Sequence, residues 1–124
     1  MNESITPVPA ATILLLRNGA TGLEVFMVVR HHQIDFASGA LVFPGGKVDD
    51  GDGEVRSFCE GVDNLQYRSV SLMVGAIREA FEESGVLLAR KRGETNIISG
   101  EKLTSLEHYR DQLNKGKISI AQFL

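Results

Sequence analysis

The stretch Arg78-Glu79-Ala80-Phe81-Glu82-Glu83-Ser84-Gly85-Val86 constrains this chain more than any other. Val74, Ile77, Phe81 and Leu88 recur at helical spacing on one side, and Leu72, Ala76 and Ala80 fill the neighbouring side. The spacing predicts a helix from about Val70 to Ser84, with Ser69 or Ser71 as N-cap. Gly85 stands where a helix end needs a left-handed residue. At about 100° per residue, Glu79, Glu82 and Glu83 fan over one face, away from the first apolar stripe. Carboxylates placed side by side repel, and a hard divalent cation offsets that repulsion because it prefers carboxylate oxygens. An ordinary solvated acidic face has the same pattern, so the glutamates alone do not decide the matter.

The rest of the chain narrows the choice. Its 124 residues allow one domain, and a net charge of −3 without a basic stripe argues against a nucleic-acid partner. A single cysteine, Cys59, excludes an internal disulfide and marks no activated thiol. The N-terminus lacks the basic and long apolar regions of a signal peptide, and Ile13–Leu16 is too short to cross a bilayer. The expectation is a soluble, cytoplasmic protein with no membrane partner.

In chain order, residues 1–7 read as a flexible lead-in and 8–124 as one domain. Ala10–Arg17 and Leu23–Arg30 read as an antiparallel strand pair around the Asn18–Gly22 turn. Their continuous apolar runs predict a sheet covered on both faces. His31 and His32 are adjacent, so on a strand they point oppositely and make a poor metal pair. A short strand leads into Phe43-Pro44-Gly45-Gly46, whose glycines let main-chain groups approach an ion or a phosphate. Residues 47–69 read as a surface insertion; Asp49, Asp50 and Asp52 only faintly resemble a calcium loop. Val86–Ala89 reads as extended, and Glu101–Lys115 as a second helix with Leu103, Leu106 and Leu113 on one face. Ser119-Ile120-Ala121-Gln122 matches a capping box, so a third helix is expected to start there.

Taken together, Gly45-Gly46 and Arg78–Val86 resemble the Nudix hydrolase signature, G-x5-E-x7-R-E-U-x-E-E-x-G-U, with U a bulky aliphatic residue. Every fixed position of the second half is matched, with Ala80 a small occupant of the first U. The spacing departs from the signature. Counted from Gly46, the arginine belongs at position 60 and stands at 78, so 18 residues are inserted. The first glutamate of the signature falls on Asp52 when counted forward and on Val70 when counted back. Such an insertion is similar to a subgroup that includes peroxisomal and mitochondrial coenzyme A diphosphatases and bacterial relatives. That group places an arginine where this chain has Asp35.

The resemblance implies an α/β/α sandwich around a mixed sheet, with the C-terminal part of the fold missing from the chain. It implies a metal-dependent hydrolase of a nucleoside diphosphate linked to another moiety, with water attacking phosphorus. Glu79, Glu82 and Glu83 would hold Mg²⁺ or Mn²⁺, with a main-chain carbonyl of Gly45 or Gly46 as a further ligand. Arg78 would position a helix carboxylate, and Glu79 or Glu83 would accept the proton of the water. Arg30 and Phe43 are candidate substrate contacts. The alternative is a non-catalytic or truncated module that binds metal or nucleotide without turnover. A homodimer would cover apolar surface left by a shortened fold.

Overall fold

The structure, a computed structural model, describes residues 6–29 and 39–124. The apolar run near the N-terminus serves two ladders. β1 (Ala10–Thr12) pairs antiparallel with β6 (Gly45–Lys47), in the register Ala10 with Lys47 and Thr12 with Gly45. Val48 N–H donates to Pro9 O and Ile13 N–H to Pro44 O, both at 2.9 Å, which extends that ladder at either end. β2 (Leu16–Gly19) then forms a hairpin with β3 (Gly22–Val25), and Phe26 N–H donates to Leu15 O at 2.9 Å. The expected pair around the Asn18–Gly22 turn is therefore present. The first strand is divided because its first half has a different partner from its second.

β4 (Val28–Val29) pairs antiparallel with β5 (Leu41–Val42). The α/β class stands, but every ladder among the described residues is antiparallel and two-stranded, where a mixed sheet is expected. The expectation of a sheet covered on both faces fails for the described strands. Leu14, Leu16, Leu23, Val25 and Val29 are exposed, Leu23 at 71 %. Arg30, His31, His32 and Asp35 lie outside the described residues.

α1 (Tyr67–Ser84) is the element the core surrounds. It begins one turn earlier than its apolar stripe, with Gln66 as N-cap. Ser71, expected as a possible cap, lies inside the helix and donates its hydroxyl to Tyr67 O at 2.9 Å. Val70 and Val74 pack with Val55, Val62 and Ile120. Phe81, further along, packs with Leu87 and Leu113, and Phe123 touches both groups. The Phe81 and Phe123 rings stack at 5.3 Å. Deleting a buried ring of this kind costs about 3–5 kcal/mol.

Residues 47–69 are largely exposed, but a few of them reach the core. Two short 3₁₀ turns over Asp52–Phe58, broken at Val55, carry Val55 and the fully buried Asp52 inward. Arg56 ties down the loop that follows by donating to the carbonyls of Leu65 (2.7 Å), Val62 and Asp63. The second predicted helix is two: α2 (Gly100–Thr104) and α3 (Glu107–Asn114), broken at Ser105-Leu106. Leu103, Leu106 and Leu113 nevertheless face the Phe81 group, as their spacing predicts. Val86–Ala89 forms no strand and keeps one ladder-like bond, Ile98 N–H to Ala89 O at 2.9 Å. α4 (Ile120–Phe123) starts with the full capping box of Ser119 and Gln122. Among the described residues no helix is long and apolar enough to cross a membrane.

Candidate functional site

The site forms where β6 crosses the C-terminal half of α1. Gly85 adopts φ 78° and its N–H donates to Phe81 O, so the helix ends at the predicted residue. The helix period turns Arg78, Glu79, Glu82 and Glu83 toward the glycine strand. Contact there depends on Gly46 having no side chain. A Cβ on Gly46 would lie 2.5 Å from Glu79 Cδ and 2.6 Å from its Oε1. The Glu79 carboxylate therefore rests on the backbone of Gly46. Beside it, Gly45 N–H donates to Glu83 Oε2 at 3.3 Å.

Arg78 is the hub. Its side chain is 4 % exposed, and its guanidinium meets a fully buried Asp52 through two bonds: Nε to Oδ1 at 2.9 Å and Nη2 to Oδ2 at 3.2 Å. Nη2 also donates to Lys47 O at 2.8 Å, which ties the helix to β6. Nη1 donates to Glu79 Oε1 at 3.1 Å and to Glu82 Oε2. Asp49 Oδ2 lies 3.3 Å from Nε, and Asp49 N–H donates to Asp52 Oδ2 at 2.8 Å. Between the two alternatives for the first signature glutamate, Asp52 is the residue that pairs with Arg78. Val70 is a core residue, 1 % exposed.

The electrostatics follow from this crowding. Burial raises the Glu82 carboxyl to about 7, against the pull of Arg78, with Glu79 and Asp49 adding to the rise. Burial also raises Glu79, again against Arg78, with Asp49 and Asp52 contributing. For Arg78, burial favours the neutral form, but Asp52, Glu82 and Glu79 outweigh it and hold the charge more firmly than usual.

The acidic residues are thus divided. Glu79 and Glu83 meet the glycine strand, and Arg78 engages Glu79 and Glu82. Among the described residues no three Asp, Glu, His or Cys side chains come together as a ready cage for a metal ion. Mg²⁺ usually keeps several waters and takes only one or two carboxylates besides substrate phosphates. The oxygen donors Glu79 and Glu83, beside the glycine backbone, suit that demand. Phe43 is 37 % exposed next to the buried Pro44, and Arg30 lies outside the described residues. The sequence reading missed Asp49 and left Asp52 undecided. The only signal for Asp52 was its count of six from Gly46.

No family model matches the chain. It is 36 % identical over 74 residues to the peroxisomal coenzyme A diphosphatase ndx-8 of Caenorhabditis elegans, covering 60 % of this chain and 25 % of that protein. Its structure resembles the crystal structure of a NUDIX hydrolase from Alicyclobacillus acidocaldarius, with a TM-score of 0.63 and 30 % identity. That match covers 91 % of this chain and 55 % of the other. The chain therefore spans about a quarter of the curated relative and about half of the solved one.

Proposed function

The chain belongs to the Nudix family, and on that premise we propose that it is a divalent-cation-dependent hydrolase of a nucleoside diphosphate linked to another moiety. The observation that carries the reading is the seating of the Glu79 carboxylate on Gly46 beside the Gly45–Glu83 hydrogen bond. It brings two carboxylates and the glycine backbone to one place. Glu79 and Glu83, with a main-chain carbonyl of Gly45 or Gly46, would hold Mg²⁺ or Mn²⁺. Glu82 is a third candidate ligand. When bound, the cation would neutralise diphosphate charge and polarise the phosphoryl oxygens.

The chain's own groups have distinct tasks in this reading. Arg78 is a positioning residue: anchored on Asp52, it orients Glu79 through Nη1. Glu79 or Glu83 accepts the proton of the water that attacks phosphorus in line with the leaving oxygen. The relative named as a coenzyme A diphosphatase makes coenzyme A a first substrate to try.

A panel of nucleoside diphosphate derivatives including coenzyme A, assayed with Mg²⁺ and with Mn²⁺, tests the proposal. Hydrolysis of at least one compound is expected, falling on the order of 100-fold in Glu79→Gln and Glu83→Gln. Turnover that both variants retain in full would sink these assignments.

A further inference from the structure

The end of α1 contains a carbonyl whose partners come from far along the chain. The last carbonyls of a helix have no partner in the next turn. Here Gly85 N–H closes the helix on Phe81 O at 2.9 Å, the single bond of a left-handed cap. The next amide, Val86 N–H, donates to Ser84 Oγ at 3.3 Å. Glu82 O is supplied instead by α3. Arg110 Nε donates to it at 3.0 Å and Asn114 Nδ2 at 2.9 Å. Two donors use both lone pairs of one oxygen. Residues 110 and 114 are four apart, so they stand on one face of α3. Glu107 Oε1, 2.6 Å from Arg110 Nη1, steadies the arginine. Its positive charge also suits the C-terminal end of a helix dipole.

We propose that Arg110 and Asn114 are positioning residues for the acidic turn. By holding the Glu82 carbonyl, they set the last turn of α1 and the direction in which Glu82 and Glu83 leave it toward Arg78 and Gly45. This rests on the reading of the site given above. The apolar docking of α3 is separate: Leu113 packs with Phe81 and Leu87. Removing the polar pair therefore leaves the fold its core contact.

The test compares Asn114→Asp, which keeps the shape but loses the amide donors, with Arg110→Met, which keeps the stem. Lys115→Ala, which breaks only the exposed pair with Asp111, is the control. Arg110→Lys keeps the charge and serves as the conservative rescue. Mn²⁺ affinity is read by electron paramagnetic resonance, and amide exchange at Gly85 by NMR on the metal-free chain. In Asn114→Asp and Arg110→Met, Gly85 exchange is expected to quicken and Mn²⁺ to bind roughly 10–100-fold more weakly. Arg110→Lys is expected to recover most of the Mn²⁺ affinity. Unchanged exchange at Gly85 overturns the proposal, and so does faster exchange with wild-type Mn²⁺ affinity in both variants. Wild-type chain that binds no Mn²⁺ overturns the functional reading first and this inference with it. That failure is visible before any variant is compared.

Discussion

Two arginine–carboxylate pairs of similar distance behave as opposites in this protein. On the β2–β3 hairpin, Arg17 Nε lies 2.6 Å from Glu24 Oε1, with side chains 81 % and 48 % exposed. Beneath α1, Arg78 Nε lies 2.9 Å from Asp52 Oδ1, with side chains 4 % and 0 % exposed. The shorter pair is the one expected to cost less when broken. In water, screening and side-chain entropy leave an exposed pair worth about 0–1 kcal/mol. Away from water, each partner is costly to leave alone, so breaking the pair carries the larger penalty. Separation alone says little about strength, and the surroundings decide.

Arg78→Ala removes the buried pair outright. It strands the Asp52 carboxylate in the interior and releases Lys47 O, Glu79 and Glu82 together. A loss of about 3–5 kcal/mol is expected, read as a shift in the urea midpoint at constant slope. A loss below about 1 kcal/mol would mean that water reaches Asp52.

The next effect is a pH dependence. Glu82 holds its proton up to about 7 in the folded chain, above the ordinary carboxylate range of the unfolded one. Over that window the folded state binds more protons, so stability falls as pH rises. Urea midpoints taken in chelator at pH 5 and pH 8 should therefore decline, and Glu82→Gln should flatten the decline. A midpoint that rises in the wild type, or a decline of equal size in Glu82→Gln, would contradict the burial of that carboxyl. The smallest effect is Arg17→Ala, expected within about 0.5 kcal/mol by the same unfolding measurement. A larger loss would place the hairpin pair in a drier environment than its exposure indicates.

Much of the candidate site was legible in residue order. Glu79, Glu82, Glu83 and the Gly85 stop lie within two helical turns, where the helix period alone sets their directions. Ser119 and Gln122 were legible for the same reason, since a capping box is local chemistry. The division of the glutamates was not. Glu82 stands one helical turn from Arg78, a local pairing, but that Glu83 meets Gly45 and Glu79 rests on Gly46 depends on where β6 crosses the helix. Within the largely exposed run after Gly46, the acidic composition hides Asp52 and Val55, which are buried through contacts with α1.

By itself, then, the sequence determined a helix of known face and end, three carboxylates on that face, and a glycine pair able to admit one of them. Only the tertiary structure decided that Asp52 would anchor Arg78 across 26 positions, and that Arg110 and Asn114 would take the Glu82 carbonyl across 28 and 32. The physical reason is range. Helix period and capping act within a turn or two and are visible in residue spacing. The partner of a buried charge or an orphan carbonyl is whichever group the packed core brings to it, and no local pattern names that group in advance.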